Sequence, residues 1–177
     1  AFLGSAPNEA PAIWMGNNSV TTKLSTREID LELLKYTEDE LSAVLMETKV
    51  EKSHQFLYIH LSDRTLVYDA MASQVLQAPI WHILSCGLLG FDRYRARNIV
   101  YCYDKWYFGD SYLAEIGFFD DTVSSHYGDV IEWEFNTPII YNETNGAIVH
   151  EIELTALTGR VLLGINPTIF TDHSYDG

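Results

Sequence analysis

Residues 43–85 read AVLMETKVEKSHQFLYIHLSDRTLVYDAMASQVLQAPIWHILS, and their punctuation is that of a sheet. Runs rich in β-branched and aromatic residues at 43–50, 55–61, 65–69 and 80–85 are parted by polar breaks, and 51–54 and Ser62-Asp63-Arg64 are short enough to be tight turns. The stretch predicts a four-stranded antiparallel meander. Toward the N-terminus the period lengthens. Within 25–42, Thr26 can cap a helix carrying Ile29, Leu31, Leu33 and Leu34, and Thr37-Glu38-Asp39-Glu40 has the Thr-x-x-Glu form of a capping box. One or two short helices are therefore expected at about 26–42, inserted between strands, and Phe2-Leu3 already reads as strand.

Toward the C-terminus a second series of strands is expected at 98–103, 105–109, 112–116 and 130–135, followed by an Asn145-Gly146 hairpin turn into a long strand near 147–155. Alternation over 130–136 sets Ile131, Trp133 and Phe135 on one face and Glu132 and Glu134 on the other. A faint echo links Trp14-Met15-Gly16-Asn17-Asn18-Ser19-Val20 with Tyr107-Phe108-Gly109-Asp110-Ser111-Tyr112-Leu113, the glycines standing 93 positions apart. That distance is about two blades of a propeller whose repeats run to ~40–50 residues, or one blade enlarged by the helical insert, and each glycine would supply a positive φ at its turn; two ordinary hairpins fit the same pattern. The fold class expected is all-β and mainly antiparallel, β-propeller-like blades with a short helical insertion. Residues 1–140 would form partial blades, and 141–177 a last hairpin and the start of a following β-rich segment.

With 177 residues, 47% of them apolar and 20% charged, the chain has enough apolar surface to offset the entropy of ordering, which excludes a disordered or low-complexity protein. Eleven Lys and Arg against 25 Asp and Glu give a formal net charge of −14. Between positions 98 and 159 the single cation Lys105 faces eleven carboxylates. Phosphate backbones and anionic membranes are repelled by such a field, so neither nucleic acid nor membrane is an expected partner. No run of about 18 apolar residues suggests a membrane-spanning helix, and no export leader is read. The two cysteines, Cys86 and Cys102, read as buried thiols of a reducing compartment.

The six histidines lack the spacing of a zinc site, and neither a nucleophile elbow nor a phosphate-cradling loop is present, so no metal or cofactor is expected. Carboxylate density is the one enzyme-like feature. Glu132 and Glu134 lie on one expected strand with Asp129 just before it, and Glu151 and Glu153 on another that can pair with it; facing acids about 5–10 Å apart suit glycoside hydrolysis. A solvated outer face gives the same alternation. Arg93, Arg95 and Arg97 would project from one face of a strand, a local cationic stripe suited to an acidic neighbouring subunit or to a charge-protected sheet edge.

Tyr36-Thr37-Glu38-Asp39-Glu40, Met46-Glu47-Thr48, Ser53-His54, Tyr58-Ile59-His60-Leu61, Leu66-Val67-Tyr68-Asp69-Ala70, Ser73-Gln74 and Trp81 follow one another in a familiar order and spacing. They resemble the packaged DNA stabilization protein family, the tail accessory or hub proteins of short-tailed bacteriophages. The resemblance is specific over about 12–116 and weaker at Thr158-Gly159 and Ser174-Tyr175-Asp176-Gly177. Members of that family are far longer, so the chain is expected to be a fragment of a longer protein. The resemblance implies a propeller-like virion protein present in six copies as a ring. It would lie in the tail below the portal and an upstream tail accessory ring, close the exit channel after genome packaging, and seat the tail needle and the tailspikes. Assembly in the host bacterial cytoplasm follows from it, and so does the lack of catalytic residues to carry over. Subunit and needle contacts are expected on the loops at Leu76-Gln77-Ala78-Pro79, at 87–92 and at 120–129, and on the helical insert. The alternative is a carbohydrate-active or carbohydrate-binding β-propeller module, with Trp106 or Trp133 beside Glu132 and Glu134.

Overall fold

Asn18-Ser19, Lys52-Ser53, Tyr103-Asp104 and Tyr127-Gly128 all hold positive φ at both positions. That is the mirror-image two-residue turn whose twist matches the strands it joins, and these turns fix the sheet registers. The computed structural model describes residues 1–5, 9–87, 90–123, 125–131, 133–136, 148, 150–155 and 169–172. The chain divides into two units, Ala1–Trp133 and Glu134–Gly177.

In the first unit, β1 (Phe2–Gly4), β2 (Ala12–Asn17) and β3 (Val20–Lys23) make a first antiparallel sheet in that order. Helices α1 (Arg27–Leu33) and α2 (Glu38–Ser42) follow, capped by Thr26 and by the reciprocal Thr37 and Glu40 bonds that the sequence announces. The meander is present as a second sheet of β4 (Leu45–Glu51), β5 (His54–His60), β6 (Thr65–Asp69) and β7 (Trp81–Leu84). A third sheet holds β8 (Ala96–Cys102), β9 (Lys105–Asp110) and β10 (Ile116–Phe118), and β11 (Ser125–His126) pairs with β12 (Asp129–Val130) in a small hairpin. The class is all-β, with three short helices among the described residues. Among the described residues no helix is long and apolar enough to cross a membrane.

Several expectations are corrected. A third helix, α3 (Ala70–Leu76), occupies the connection between β6 and β7, because Asp69 ends its strand and also caps the helix by accepting from Ala72 N. The strand read at 112–116 moves to Ile116–Phe118, since the Asp110 carboxylate accepts from Tyr112 N and Leu113 N and bends that stretch into a loop. Gly16 and Gly109 lie within β2 and β9 without positive φ, so the echoing glycines do not make the turns. Asn18 and Ser19 do so in the first case, the Asp110 loop in the second. The strand expected at 130–135 stops at Val130, and residues 131, 133–136 and 150–155 carry no strand. The Asn145-Gly146 turn lies outside the described residues.

Side-chain alternation along β5 sends its residues to two different cores. Leu57 and Ile59, with Leu61 just beyond the strand, join Ile13, Leu24, Ile29, Leu33 and Leu66, a core drawn from the first sheet, α1 and the second sheet. Phe56 and Tyr58 face the other way and pack with Val67, Tyr94, Ala96 and Phe108 of the third-sheet side. Ile59, Leu66 and Val67 are fully covered. Each such side chain contributes about 1.5–3 kcal/mol by leaving water.

Ile59→Ala is expected to lower unfolding free energy by about 2–5 kcal/mol in urea denaturation, against under ~0.5 kcal/mol for Val75→Ala on the exposed face of α3. Equal losses would contradict the two-faced core. A Cβ on Gly117 would collide with the Phe108 ring and the Tyr127 hydroxyl, so Gly117→Ala is expected to destabilise while Gly4→Ala, which has ordinary space, is tolerated.

Candidate functional site: a polar seam between two sheets

The residues that carry the family resemblance become, in three dimensions, fasteners. His54 Nδ1 lies 2.6 Å from Asp69 Oδ2. Ser73 Oγ donates to Asp69 O and accepts from Ile80 N at 2.8 Å, which ties α3 to the start of β7. The Tyr68 and Trp81 rings pack at 5.1 Å, and Trp81 Nε1 donates to Leu24 O. Burial alone would raise the Asp69 carboxyl, but the bond from Ala72 N–H and the pair with His54 outweigh it and hold the group below its ordinary value.

The face of β4 turned to the third sheet carries charge. His60, 3% exposed, sets Nδ1 2.9 Å from Thr65 Oγ1 and Nε2 3.0 Å from Glu47 Oε2. The other Glu47 oxygen accepts from Ile99 N of β8 at 3.1 Å. That amide is free because β8 bulges between Arg97 and Val100, with Asn98 at φ 55°. Lys49, 4% exposed, pairs with Glu51 at 2.6 Å and stands 3.9 Å above the Phe119 ring. Trp106 Nε1 donates to Val50 O, and Lys52 pairs with Asp121 at 2.7 Å. One strand and its turn thus grip the third sheet through side chains. Sequence reasoning did not single out Glu47, Lys49 or Lys52 as a group. The signal was available in Glu47-Thr48-Lys49-Val50-Glu51, whose charges stand in register opposite Tyr58, Phe56 and His54.

The arginine stripe is placed differently from the sequence reading. β8 begins at Ala96, so Arg93 and Arg95 precede it and the three do not share one strand. Arg95 turns inward: its guanidinium pairs with the covered side chain of Asp110 at 2.7 Å, reaches Asp129 at 3.5 Å and lies over Tyr127. Arg93 is exposed and donates to Ser62 O. Arg97 Nε is buried without a hydrogen-bond partner. Of the carboxylates, Glu132 lies outside the described residues. Glu134 accepts from Asn136 Nδ2, and Glu134, Glu151 and Glu153 are exposed on segments without strand pairing. The ladder that would set acids face to face is therefore not formed among the described residues.

Two clefts are present in the first unit. One of about 370 Å³ is lined by Trp14, Glu9, Lys23 and Asp30, with Asp30 already accepting from Ser25 and paired with Lys23. The other, about 550 Å³, is lined by Leu3, Leu34, Tyr36 and Leu41. Neither includes Glu134, Glu151, Glu153 or Trp106. Among the described residues no group of three or more His, Cys, Asp and Glu side chains could hold a metal ion. Burial pushes the Cys86 thiol up, so it stays protonated beside His126 Nδ1 at 3.6 Å.

Small antiparallel sheets packed through shared cores and fastened by side chains define an all-β protein built from successive meanders. Residues 1–124 match the family described as Bacteriophage P22 Gp10, beta-propeller, and residues 132–177 match Bacteriophage P22 Gp10, beta-sandwich. The chain belongs to the P22 Gp10 family. It is 30% identical over 159 residues to the tail hub protein gp10 of Salmonella phage P22, an alignment covering 90% of this chain and 33% of that protein. The chain therefore spans about a third of the length of the curated relative it matches.

Asp110 supplies a pH test. Its burial alone would raise the carboxyl, but bonds from Tyr112 N and Arg95 hold it below its ordinary value. The stability it contributes is complete above the unfolded carboxylate value near pH ~4 and is lost as pH falls through the lower folded value. Asp110→Asn is expected to reduce stability at pH 7 by roughly 1–3 kcal/mol, with the gap from wild type closing as urea titrations move from pH 5 to pH 2. A gap that does not change with pH contradicts this assignment.

Proposed function

We propose that this chain is a structural part of a short phage tail, a hub segment that other virion proteins grip. The alignment with the P22 tail hub protein over nine-tenths of the chain carries this reading. The fold supports it physically. Sheets buried face to face resist shear, and side-chain fasteners hold their spacing without a deep cleft of opposed acids among the described residues. The finer role follows the resemblance: six copies in a ring below the portal and its accessory ring, closing the exit channel after packaging, retaining the DNA by protein contacts, and seating needle and tailspikes. A net charge of −14 favours such a gasket over a surface that grips phosphate.

In a ring of identical copies the contacts are heterologous, so acidic faces need cationic ones opposite. Arg93 and Arg97 are the candidates for that contact, Arg95 being engaged within its own subunit. Arg93→Glu is expected to leave the urea midpoint unchanged and to impair tail assembly in infected cells, whereas Arg95→Glu is expected to unfold or loosen the chain itself. Normal tails from Arg93→Glu together with Arg97→Glu would dismiss the contact. Electron microscopy of intact tails tests the function directly: stacked sheets of this sequence should surround the axis below the portal, and their location on the capsid shell would overturn the reading.

A further inference from the structure

The second sheet is held in two unlike ways. Against the first sheet and α1 it shares an aliphatic core of seven buried residues, with Leu3, Tyr36, Leu41, Met46 and Trp81 packed around it. Against the third sheet the buried core is smaller and partly aromatic, Tyr58, Val67, Tyr94 and Ala96, with Phe56, Leu84, Ile99, Phe108 and Phe119 packed around it. To that contact β4 and its turn add a row of polar and charged fasteners. Glu47 takes Ile99 N, Lys49 covers Phe119, Val50 O takes Trp106 Nε1, and Lys52 pairs with Asp121. Meanwhile the third sheet is bound to the β11–β12 hairpin by Arg95, which joins Asp110 to Asp129 and lies over Tyr127.

We propose that the β4 seam is a latch, along which the third sheet and the β11–β12 hairpin part from the second sheet as one body while the first sheet, helices and second sheet stay together. Aliphatic contact is non-directional and survives small shifts, whereas a buried carboxylate that loses its partner is left desolvated. The seam therefore has two arrangements, closed with Glu47 Oε1 bonded to Ile99 N or open with that oxygen hydrated while Oε2 keeps His60, and few states between. This goes beyond the hub reading and stands whether or not the chain sits in a tail.

Cys86 reports the opening, because it packs partly buried against the smaller core, while Cys102, also partly buried, stands at the far end of β8 and belongs to neither core. The test is maleimide labelling of the full chain in Cys102→Ser and Cys86→Ser backgrounds, with urea midpoints measured in parallel. Glu47→Ala is expected to speed Cys86 labelling about tenfold or more, with Glu47→Gln intermediate and Cys102 unchanged, from the loss of one buried charged hydrogen-bonding group. The rate should rise with urea less steeply than global unfolding does, and at low urea exceed the rate that global unfolding allows. Should Glu47→Ala not fold, Lys52→Glu, which reverses the exposed partner of Asp121, carries the same expectation at smaller size. Cys86 labelling that follows the global unfolding equilibrium in every variant would overturn the latch.

Discussion

Over residues 58–60 of β5 and 65–67 of β6 neither face is turned to water, and the rest of the first unit is arranged around that fact. Ile59 and Leu66 are covered by the first sheet and helix α1, and Val67 with Tyr58 by the third sheet. A strand buried on both sides must be roofed twice, so the chain has to place a sheet before it and a sheet after it. The helical insert serves the same end. Ile29 and Leu33 of α1 fill the space that the three short strands of the first sheet leave open.

The two roofs differ in chemistry, and the difference falls on β4. Its neighbour β5 presents aromatic rings to the third sheet, yet β4 presents Glu47 and Lys49 there, each with partners that offset the loss of hydration. Breaking any one partner leaves a charge in a poorly hydrated gap, so the seam fixes spacing and register more firmly than an oily contact would. For the hub segment proposed above, defined spacing between sheets matters as much as total stability.

How much of this was legible follows from particular residues. The meander could be read because its runs are bounded by Lys52-Ser53 and Ser62-Asp63-Arg64, and both helical starts because Thr26 and Thr37 show their caps in the sequence. Helix α3 was not legible, since Ala70–Leu76 is a short run without a polar face and its cap, Asp69, looks like a strand end. The β11–β12 hairpin hid in the same way, with two-residue strands and Tyr127 in a left-handed conformation that its side chain does not advertise. The arginine stripe failed as a surface feature because Arg95 found Asp110, fifteen residues away, a pairing that no local spacing reveals. The seam left only an ambiguous signal for a related reason: an alternating Glu47 and Lys49 looks like a solvated face until the partner sheet is in place.

Native-state hydrogen exchange tests the central claim most directly. If the twice-covered sheet is the keystone, the backbone amides of β5 and β6 exchange only through global unfolding and are the slowest in the chain, while those of β3, exposed along its length, exchange first. Amides of β5 exchanging as fast as those of β3, under conditions where the fold persists, would contradict the account.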